Sequence, residues 1–398
     1  MLEEETPDRV ENADVRAFSS QPAEGMCTPD EYAHPVMASF ADEVRQDVPR
    51  QRVVIEPARA ILEAELVEEV PFARATSAAP ARTIPNRRRV ALPLMLFVAT
   101  CVSTFFAGAC AWFPSQYLEL AMSAGQGDLM PLRRIMFVHW ADGLVYMGCV
   151  IAILLTHEMG HFVATLRYRI PASFPYFLPL PISPIGTLGA VIGMDGSRAN
   201  RREIFDIGIA GPLAGLAVAI PLLWIGVSKL DFTQPEYGIF QLDNPLIVQF
   251  LLDYLQPAGY TPGQRILHGH LNPFFMAGWV GLLVTGLNMM PVSQLDGGHV
   301  IYTLLGRRGR WFARGFILVA VGFIVYTAIQ AIQGGSSVFQ TAAPGLSIMV
   351  MLIMLVGIDH PPTRDDQVRL GWFRTILGYC SLAIPILCFA PKLMIFLP

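Results

Sequence analysis

Long apolar runs beginning at residue 90 constrain the fold of this chain more than any other feature of its sequence. The runs at 90–113, 137–166, 207–227 and 274–290 contain few or no charged residues. A helix needs about 20 mostly apolar residues to cross the hydrocarbon core of a bilayer. Only 15% of the residues are charged, whereas a soluble globular protein carries about 25%. The sequence therefore argues against a soluble enzyme and predicts an all-α membrane protein with several spans.

The first 89 residues differ sharply in composition from the rest of the chain. They hold 17 of the 32 Asp and Glu residues and 11 arginines, and they contain no long apolar run. Such a segment cannot bury enough apolar surface to fold by itself. We therefore expect an acidic, largely disordered region at 1–89 and a membrane-embedded domain at 90–398, with its core at about 137–310. We expect no nucleic-acid partner, because the sequence shows no basic face or basic–aromatic stripe.

Hydropathy and charge together predict about six to seven spans and their orientation. Arginines lie beside alternate ends of the apolar runs, for example at positions 87–89 and 307–308. Because positive residues stay on the cytoplasmic side, we expect the N-terminal region in the cytoplasm and segment 228–272 outside. A bacterial cytoplasmic membrane is the expected location. The apolar runs are 90–113, 137–166, 207–227, 274–290, 315–331, 346–358 and 376–389.

One pentapeptide inside the second apolar run carries the most chemical information: His157-Glu158-Met159-Gly160-His161. On a helix, residues four apart share one face, so both imidazoles can reach the same metal ion. Catalytic zinc commonly has three protein ligands and one open position. Ionisable side chains inside a membrane span are costly and usually functional. The pattern predicts that His157 and His161 bind a metal and that Glu158 lies beside its open position.

The pentapeptide supplies two ligands, and a third has to come from elsewhere in the chain. Asp296 is the strongest choice, because it follows the inward end of the fourth apolar run. This end is expected on the same side of the membrane as the pentapeptide. Gly297 and Gly298 follow it and let the backbone come close. His299 lies near enough in sequence to support Asp296 or to replace it. The other residues considered are His139, His268, His270, Asp195 and His360.

A second motif accompanies the pentapeptide. From Asn288 the chain reads Asn-x-x-Pro-x-x-x-Leu-Asp-Gly-Gly. The two motifs together resemble the site-2 protease family of intramembrane zinc metalloproteases, over about residues 90–310. The resemblance implies one zinc ion with three ligands, His157, His161 and Asp296. It also implies that Glu158 is the catalytic base, that Asn288 hydrogen-bonds the substrate backbone, and that the substrates are transmembrane segments of other proteins.

Segment 170–195 is apolar but contains five prolines, so it cannot be a membrane-spanning helix. Non-helical backbone at membrane depth is tolerated only where it lines a protein cavity. The stretch 186–193 is rich in β-branched and small residues and predicts a short strand, and the family resemblance suggests a re-entrant loop or β-hairpin near the active site. We expect Gly186, Leu188 and Ala190 to offer a strand edge to the substrate. An ordinary interfacial loop is the alternative.

The predicted function is hydrolysis of peptide bonds within or near the transmembrane segments of membrane proteins. Two alternatives stay open. A membrane zinc transporter also buries His and Asp residues, although it does not need a Glu beside the first histidine. A catalytically inactive scaffold is the second alternative, and the intact HExxH pentapeptide together with Asp296 argues against it.

Overall fold

The computed structural model describes residues 90–123, 129–234, 238, 240–292, 295–333, 363–390 and 394–396. The N-terminal region and the sixth expected span, 346–358, lie outside these residues, so the expectations for them stay predictions. The described helices are α1 (Ala91–Ala109), α2 (Pro114–Ser123), α3 (Met130–Val138), α4 (Trp140–Tyr168), α5 (Arg201–Ser228), α6 (Leu246–Leu255), α7 (Pro273–Asn288), α8 (Asp296–Leu305), α9 (Gly309–Gln333), α10 (Trp372–Ser381) and α11 (Ile384–Cys388). The strands are β1 (Tyr176–Leu180), β2 (Gly186–Val191), β3 (Phe240–Leu242), β4 (Ile266–Leu267) and β5 (Met394–Phe396).

Four helical segments among the described residues are long and apolar enough to cross a membrane. They are α1, α4, α5 and the nearly continuous α8–α9. Helix α7 is apolar but has only 16 residues, and a helix of that length spans about 24 Å against a bilayer core of about 30 Å. The last expected span, 376–389, is divided between α10 and α11. The structure is that of a helical membrane protein, and the total of six to seven spans stays a prediction.

Helix α5 begins six residues before the apolar run that predicted it. Asn200 caps the helix by accepting hydrogen bonds from the backbone amides of Arg202 and Glu203, both at 3.0 Å. The Glu203 carboxylate accepts from the amide of Asn200 at 2.9 Å. This reciprocal capping box satisfies amides that the first turn of a helix leaves without partners. Capping thus extends the helix into a polar segment that hydropathy alone assigns to a loop.

Helix α7 is the central helix of the core, with α4 and α5 packed against it. Phe275, Met276 and Trp279 on this helix are completely buried. Close approach of α5 and α7 depends on glycine, because a β-carbon on Gly278 would lie 2.7 Å from the backbone of Leu223. The short central helix is therefore shielded by longer helices, which accounts for its nearly continuous apolar sequence.

Strands β1 and β2 form an antiparallel hairpin in the connection between α4 and α5. The turn end of the hairpin contacts two helices. Ser103 of α1 donates its hydroxyl hydrogen bond to the carbonyl of Gly186, and Tyr146 of α4 donates to the carbonyl of Ile185 at 2.9 Å. The predicted strand within 186–193 is thus present as β2, and its re-entry into the membrane stays a prediction.

A second small sheet involves the segment expected on the outer side. Strand β3 is central, with β4 on one side and β5 on the other, both antiparallel. Helix α6 is amphipathic, with Val248, Leu251 and Leu252 buried and Phe250 exposed. This segment therefore packs onto the helical core through one face of α6.

Candidate metal centre

Three side chains from two distant parts of the sequence meet in one buried cluster. The Nε2 atoms of His157 and His161 each lie 3.3 Å from Oδ2 of Asp296. One ligand-type atom from each residue lies within 4.8 Å of the other two. Among the residues that the structure describes, this is the group of His, Cys, Asp and Glu that could hold a metal ion. The three ligands predicted from the two motifs are therefore brought together.

The local fold explains why these residues converge. His157 and His161 are four residues apart on α4, so they lie one above the other on the same helix face. Asp296 is the first residue of α8, just beyond the end of α7. A β-carbon on Gly297 would collide with the backbone carbonyl of Met289. The glycine after Asp296 thus allows α8 to start directly against the end of α7, as the sequence predicted.

A backbone carbonyl fixes the orientation of one histidine. Nδ1 of His161 donates a hydrogen bond to the carbonyl oxygen of Ile207 in α5, at 2.8 Å. With the proton on Nδ1, the lone pair of Nε2 faces Asp296, which is the arrangement of a metal-ligating imidazole. The sequence contains no signal for this contact, because the acceptor belongs to the main chain.

Glycines on α5 give the two histidines the space that they occupy. A β-carbon on Gly211 would collide with the imidazole of His161, and one on Gly215 would lie 3.0 Å from Nδ1 of His157. On α4, a β-carbon on Gly160 would lie 2.6 Å from the carbonyl oxygen of Ala210. The glycine-rich sequence of α5 therefore serves close packing of α4 and α5 beside the cluster.

The donor set fits a zinc ion. Oδ2 of Asp296 is buried and, among the described residues, accepts no hydrogen bond, although two imidazole nitrogens lie 3.3 Å away. A buried carboxylate oxygen without a hydrogen bond is costly unless another partner satisfies it. Two imidazole nitrogens and one carboxylate oxygen are ligands that catalytic zinc accepts. The unsatisfied oxygen and the neighbouring nitrogens are thus suited to share one cation.

Glu158 lies in the wall of the cavity that contains the cluster. This cavity has a volume of about 150 Å³. The Glu158 side chain is almost completely buried, with 4% of its residue surface exposed. Lining residues from α4, β2, α5, α7 and α8 surround it, and they include His157, Glu158, His161, Thr165, Ala190, Val191, Ile192, Asn288, Asp296 and His299. A small buried cavity with a carboxylate beside three potential ligands can exclude bulk water while holding a reacting group.

Only some of the residues predicted to contact substrate lie at the cavity. The Asn288 side-chain nitrogen lies 3.3 Å from Nε2 of His157, and Ala190 lines the cavity. Gly186 is instead buried against α1, and its carbonyl accepts the hydrogen bond from Ser103. Leu188 is exposed and is not among the residues that line the cavity. The Ala190 end of the expected strand edge therefore faces the cavity, whereas Gly186 and Leu188 lie away from it.

The other residues considered as third ligands lie elsewhere, with one exception. His139 pairs with Asp142, His268 contacts the carbonyl of Ala111, and Asp195 pairs with Arg198. His299 lines the cavity, and its β-carbon lies 2.9 Å from the position of a β-carbon on Gly208. It is one helical turn from Asp296 but outside the group of ligand atoms. His270 is buried in the segment after α6, and His360 lies outside the described residues.

Comparison with known proteins agrees with this geometry. Residues 145–329, which include most of α4, the hairpin, α5, α7, α8 and most of α9, match the family model described as peptidase family M50. Through this region, which is slightly less than half of the chain, the protein is similar to the site-2 protease family. The resemblance seen in the two motifs is confirmed. No solved structure matches the chain.

Similar curated proteins come from plants. The chain is 28% identical over 222 residues to the probable chloroplastic zinc metalloprotease EGY1 of Oryza sativa subsp. japonica, covering 54% of this chain and 38% of the relative. It is 29% identical over 248 residues to EGY1 of Arabidopsis thaliana, covering 61% and 42%. For the probable zinc metalloprotease EGY2 of Arabidopsis thaliana the identity is 30% over 172 residues, covering 42% and 30%.

Two facts about these relatives bear on the predictions. The chain spans about two fifths of the length of the EGY1 proteins that it matches. The relatives are chloroplastic, which conflicts with the expected bacterial cytoplasmic membrane. The comparisons therefore support a membrane protein with zinc metalloprotease relatives and do not support the bacterial location.

Proposed function

We propose that this protein is an intramembrane zinc metalloprotease that hydrolyses peptide bonds within or near transmembrane segments of membrane proteins. The observation that carries the proposal is the meeting of His157, His161 and Asp296 beside Glu158 in one buried cavity. The three ligands would hold one zinc ion. The match of residues 145–329 to the peptidase family M50 model supports the same reaction class.

The chemistry follows from the residues around the cavity. Zinc, when held by the three ligands, supplies a Lewis acid and lowers the pKa of a water molecule to about 7. Glu158 acts as general base and takes a proton from the attacking water. The water oxygen bonds to the carbonyl carbon of the substrate, and the C–N bond breaks. Glu158 then passes the proton to the departing amine nitrogen, which balances the reaction.

Asn288 is proposed to hold the substrate backbone in register. Its side-chain amide lies 3.3 Å from Nε2 of His157, so it faces the position where the reacting peptide bond would lie. An amide offers both a donor and an acceptor to a peptide group. His161 is meanwhile kept in one tautomer by the carbonyl of Ile207. The two residues therefore have separate tasks, one toward substrate and one toward metal.

The β1–β2 hairpin is proposed to re-enter the membrane and to present the substrate. Its turn contacts Tyr146, and its Ala190 end lines the cavity with Glu158. Tyr146 and Glu158 are twelve residues apart on α4, or about 18 Å at the rise of an α-helix. A hairpin that reaches both levels runs along α4 within the span, which supports re-entry. A strand edge there would hold an extended substrate through main-chain hydrogen bonds.

Membrane orientation is also part of the proposal. The cluster lies near the ends of α4 and α7 and the beginnings of α5 and α8, so these four ends share one side. Arg167, Arg201 and Arg202 lie at the same ends. By the positive-inside rule this is the side that is not translocated. The proposed site thus lies near the arginine-rich side of the membrane, the side on which we expect the N-terminal region.

A reconstituted cleavage assay tests the proposed function. Purified full-length protein in lipid vesicles is incubated with single-span membrane proteins, before and after zinc removal by a chelator. The proposal expects cleavage that stops on chelation and returns when zinc is added back. Zinc-specific flux across the vesicles without any cleavage would contradict it and would favour the transporter.

A further inference from the structure

A second polar cluster lies at the same end of the helices as the metal centre, beyond the region that matches the family. Residues 363–374, which we call the strap, contact the beginning of α5. The amide of Arg364 donates to the carbonyl of Ala199 at 2.9 Å, and the amide of Arg201 donates to the carbonyl of Asp365 at 3.2 Å. The strap is therefore joined to α5 by main-chain hydrogen bonds that are independent of side-chain identity.

Arg374, the last residue of the strap, contacts the carboxylate of Asp206 with two nitrogens. Nε lies 2.7 Å from Oδ1, and a terminal nitrogen lies 2.9 Å from Oδ2. Tyr168, the last residue of α4, donates its hydroxyl hydrogen bond to the same carboxylate. A bidentate contact between guanidinium and carboxylate fixes the relative orientation of both groups. Asp206 thus links the end of α4, the first turns of α5 and the beginning of α10.

Asp206 directly precedes the residue that orients a ligand. The carbonyl of Ile207 accepts the hydrogen bond from Nδ1 of His161 at 2.8 Å. His161 and Tyr168 are seven residues apart on α4, or about two turns, so they lie on the same helix face. Holding Asp206 from Tyr168 and Arg374 therefore holds the Ile207 carbonyl against His161. Such outer partners of ligating histidines commonly contribute 10–100-fold to metal affinity.

The strap also contacts the helix that begins with Asp296. The hydroxyl of Tyr302 on α8 donates to Asp366 of the strap, with oxygen distances of 3.0 and 2.9 Å. Arg201 of α5 donates from Nε to the carbonyl of Thr303 at 2.7 Å. These contacts tie α8 to α5 on the side facing the strap. Both ligand-bearing helices, α4 and α8, are thereby held to α5 at the same level.

We propose that the strap positions the metal centre, with Arg374 and Asp206 as its principal positioning residues. Neither residue lines the cavity, so both act through other groups: Asp206 through the Ile207 carbonyl, and Arg374 through Asp206. The inference rests on the proposed function, in which His161 and Asp296 bind zinc. The strap, which lies outside the residues that match the family model, thus supports the metal ligands.

Cobalt(II) bound to the purified full-length protein tests the inference, because its visible absorption bands report the geometry of its ligands. The spectrum and the rate of cobalt release to a chelator are measured for wild type, Arg374→Gln and Arg374→Lys. We expect Arg374→Gln to shift the visible bands and to release cobalt about 10-fold faster. This is the low end of the effects seen when a residue that supports a metal-ligating histidine is lost. Arg374→Lys should be intermediate, since lysine keeps the charge but cannot form the two-nitrogen contact.

Arg364→Gln is the matched control on the strap. The Arg364 side chain is 60% exposed and lies 3.8 Å from Glu203, so its loss should leave spectrum and release rate as in wild type. A cobalt spectrum and a cobalt release rate in Arg374→Gln that match those of wild type would overturn the inference. Equal effects of Arg374→Gln and Arg364→Gln would overturn it as well. If Arg374→Gln does not fold, Arg374→Lys carries the test, because lysine keeps the charge but loses the two-nitrogen contact with Asp206. Unchanged cobalt release in Arg374→Lys would then overturn the inference.

His157→Ala separates the inference from the proposed function. Cobalt bound by His157→Ala with the wild-type spectrum would contradict the metal centre itself. Loss of that spectrum in His157→Ala, combined with wild-type behaviour of Arg374→Gln, would contradict the strap alone.

Discussion

The imidazole of His161 lies directly against the α-carbon of Gly211, with no room for a β-carbon between them. Gly211→Ala should therefore displace His161 or separate α4 from α5, and it should lower the zinc affinity of the purified protein about 10-fold or more, as loss of outer support does. Zinc content after dialysis against a graded chelator measures this effect.

Gly315→Ala is the matched control for Gly211→Ala. Gly315 lies on α9, and a β-carbon there would meet no atom within 4 Å. This variant should bind zinc as wild type does. Equal zinc affinity in both variants would show that the contact between Gly211 and His161 has no bearing on the metal.

Asp296→Ala removes the one oxygen of the proposed ligand set. Two nitrogens remain, and zinc held by two ligands is bound weakly, so we expect zinc per protein to fall by more than about 10-fold, beyond the effect of an outer partner. His157→Ala and His161→Ala should behave alike. Zinc analysis of purified protein is the measurement.

Asp195→Ala provides the comparison for Asp296→Ala, because Asp195 pairs with Arg198 away from the cluster. Full zinc content is expected. If Asp296→Ala retained zinc, the third ligand would have to be another residue, and His299 on the cavity wall would be tested next.

Local sequence accounts for much of this site. The HExxH spacing places two histidines on one helix face, and α4 extends over 29 residues around them, as the apolar run predicts. The Asp296-Gly297-Gly298 sequence predicts a close turn, and Gly297 indeed lies against the end of α7. These features follow from neighbouring residues alone. They can therefore be predicted from the sequence without knowledge of any tertiary contact.

Other features depend on partners far away in the chain. The contact of Arg374 with Asp206 joins residues 168 positions apart, and no periodicity marks either of them. Ile207 orients His161 through its carbonyl, which every residue possesses. The sequence predicts Gly186 at the substrate edge, but its positive φ of 81° and its contact with α1 give it a structural role at the hairpin turn.

Proline substitution tests the proposed strand edge in β2. Ala190→Pro and Leu188→Pro each remove an amide donor and fix the local backbone, which a strand accepting another chain tolerates badly. We expect at least one of them to lower cleavage of a membrane substrate about 10-fold or more, since main-chain hydrogen bonds give such complexes their affinity. Zinc content should stay normal.

Leu188→Ala and Ala190→Ser keep the amide donors and serve as controls for the proline variants. Both should cleave nearly as wild type does. Wild-type cleavage by both proline variants would show that the hairpin is a connection only.

Topology can be measured with single cysteines in a cysteine-free background. A cysteine at Ser19 should be protected from an impermeant thiol reagent added outside intact cells, whereas one at exposed Thr261 should react. The reason is the distribution of arginines at the inward ends of the spans. The same response at both positions would contradict the proposed orientation.

Glu158→Gln tests the central claim most directly, because it changes the proposed base without removing a ligand. Glutamine has nearly the same shape but cannot accept the proton, and general-base catalysis contributes about 10²–10⁴-fold. Purified Glu158→Gln and the matched variant Glu119→Gln, altered on the distant α2, are assayed side by side for zinc and for cleavage of a single-span membrane protein. The account predicts full zinc content in both variants, wild-type cleavage by Glu119→Gln, and a rate at least about 100-fold lower in Glu158→Gln. Cleavage by zinc-loaded Glu158→Gln at the wild-type rate would contradict it.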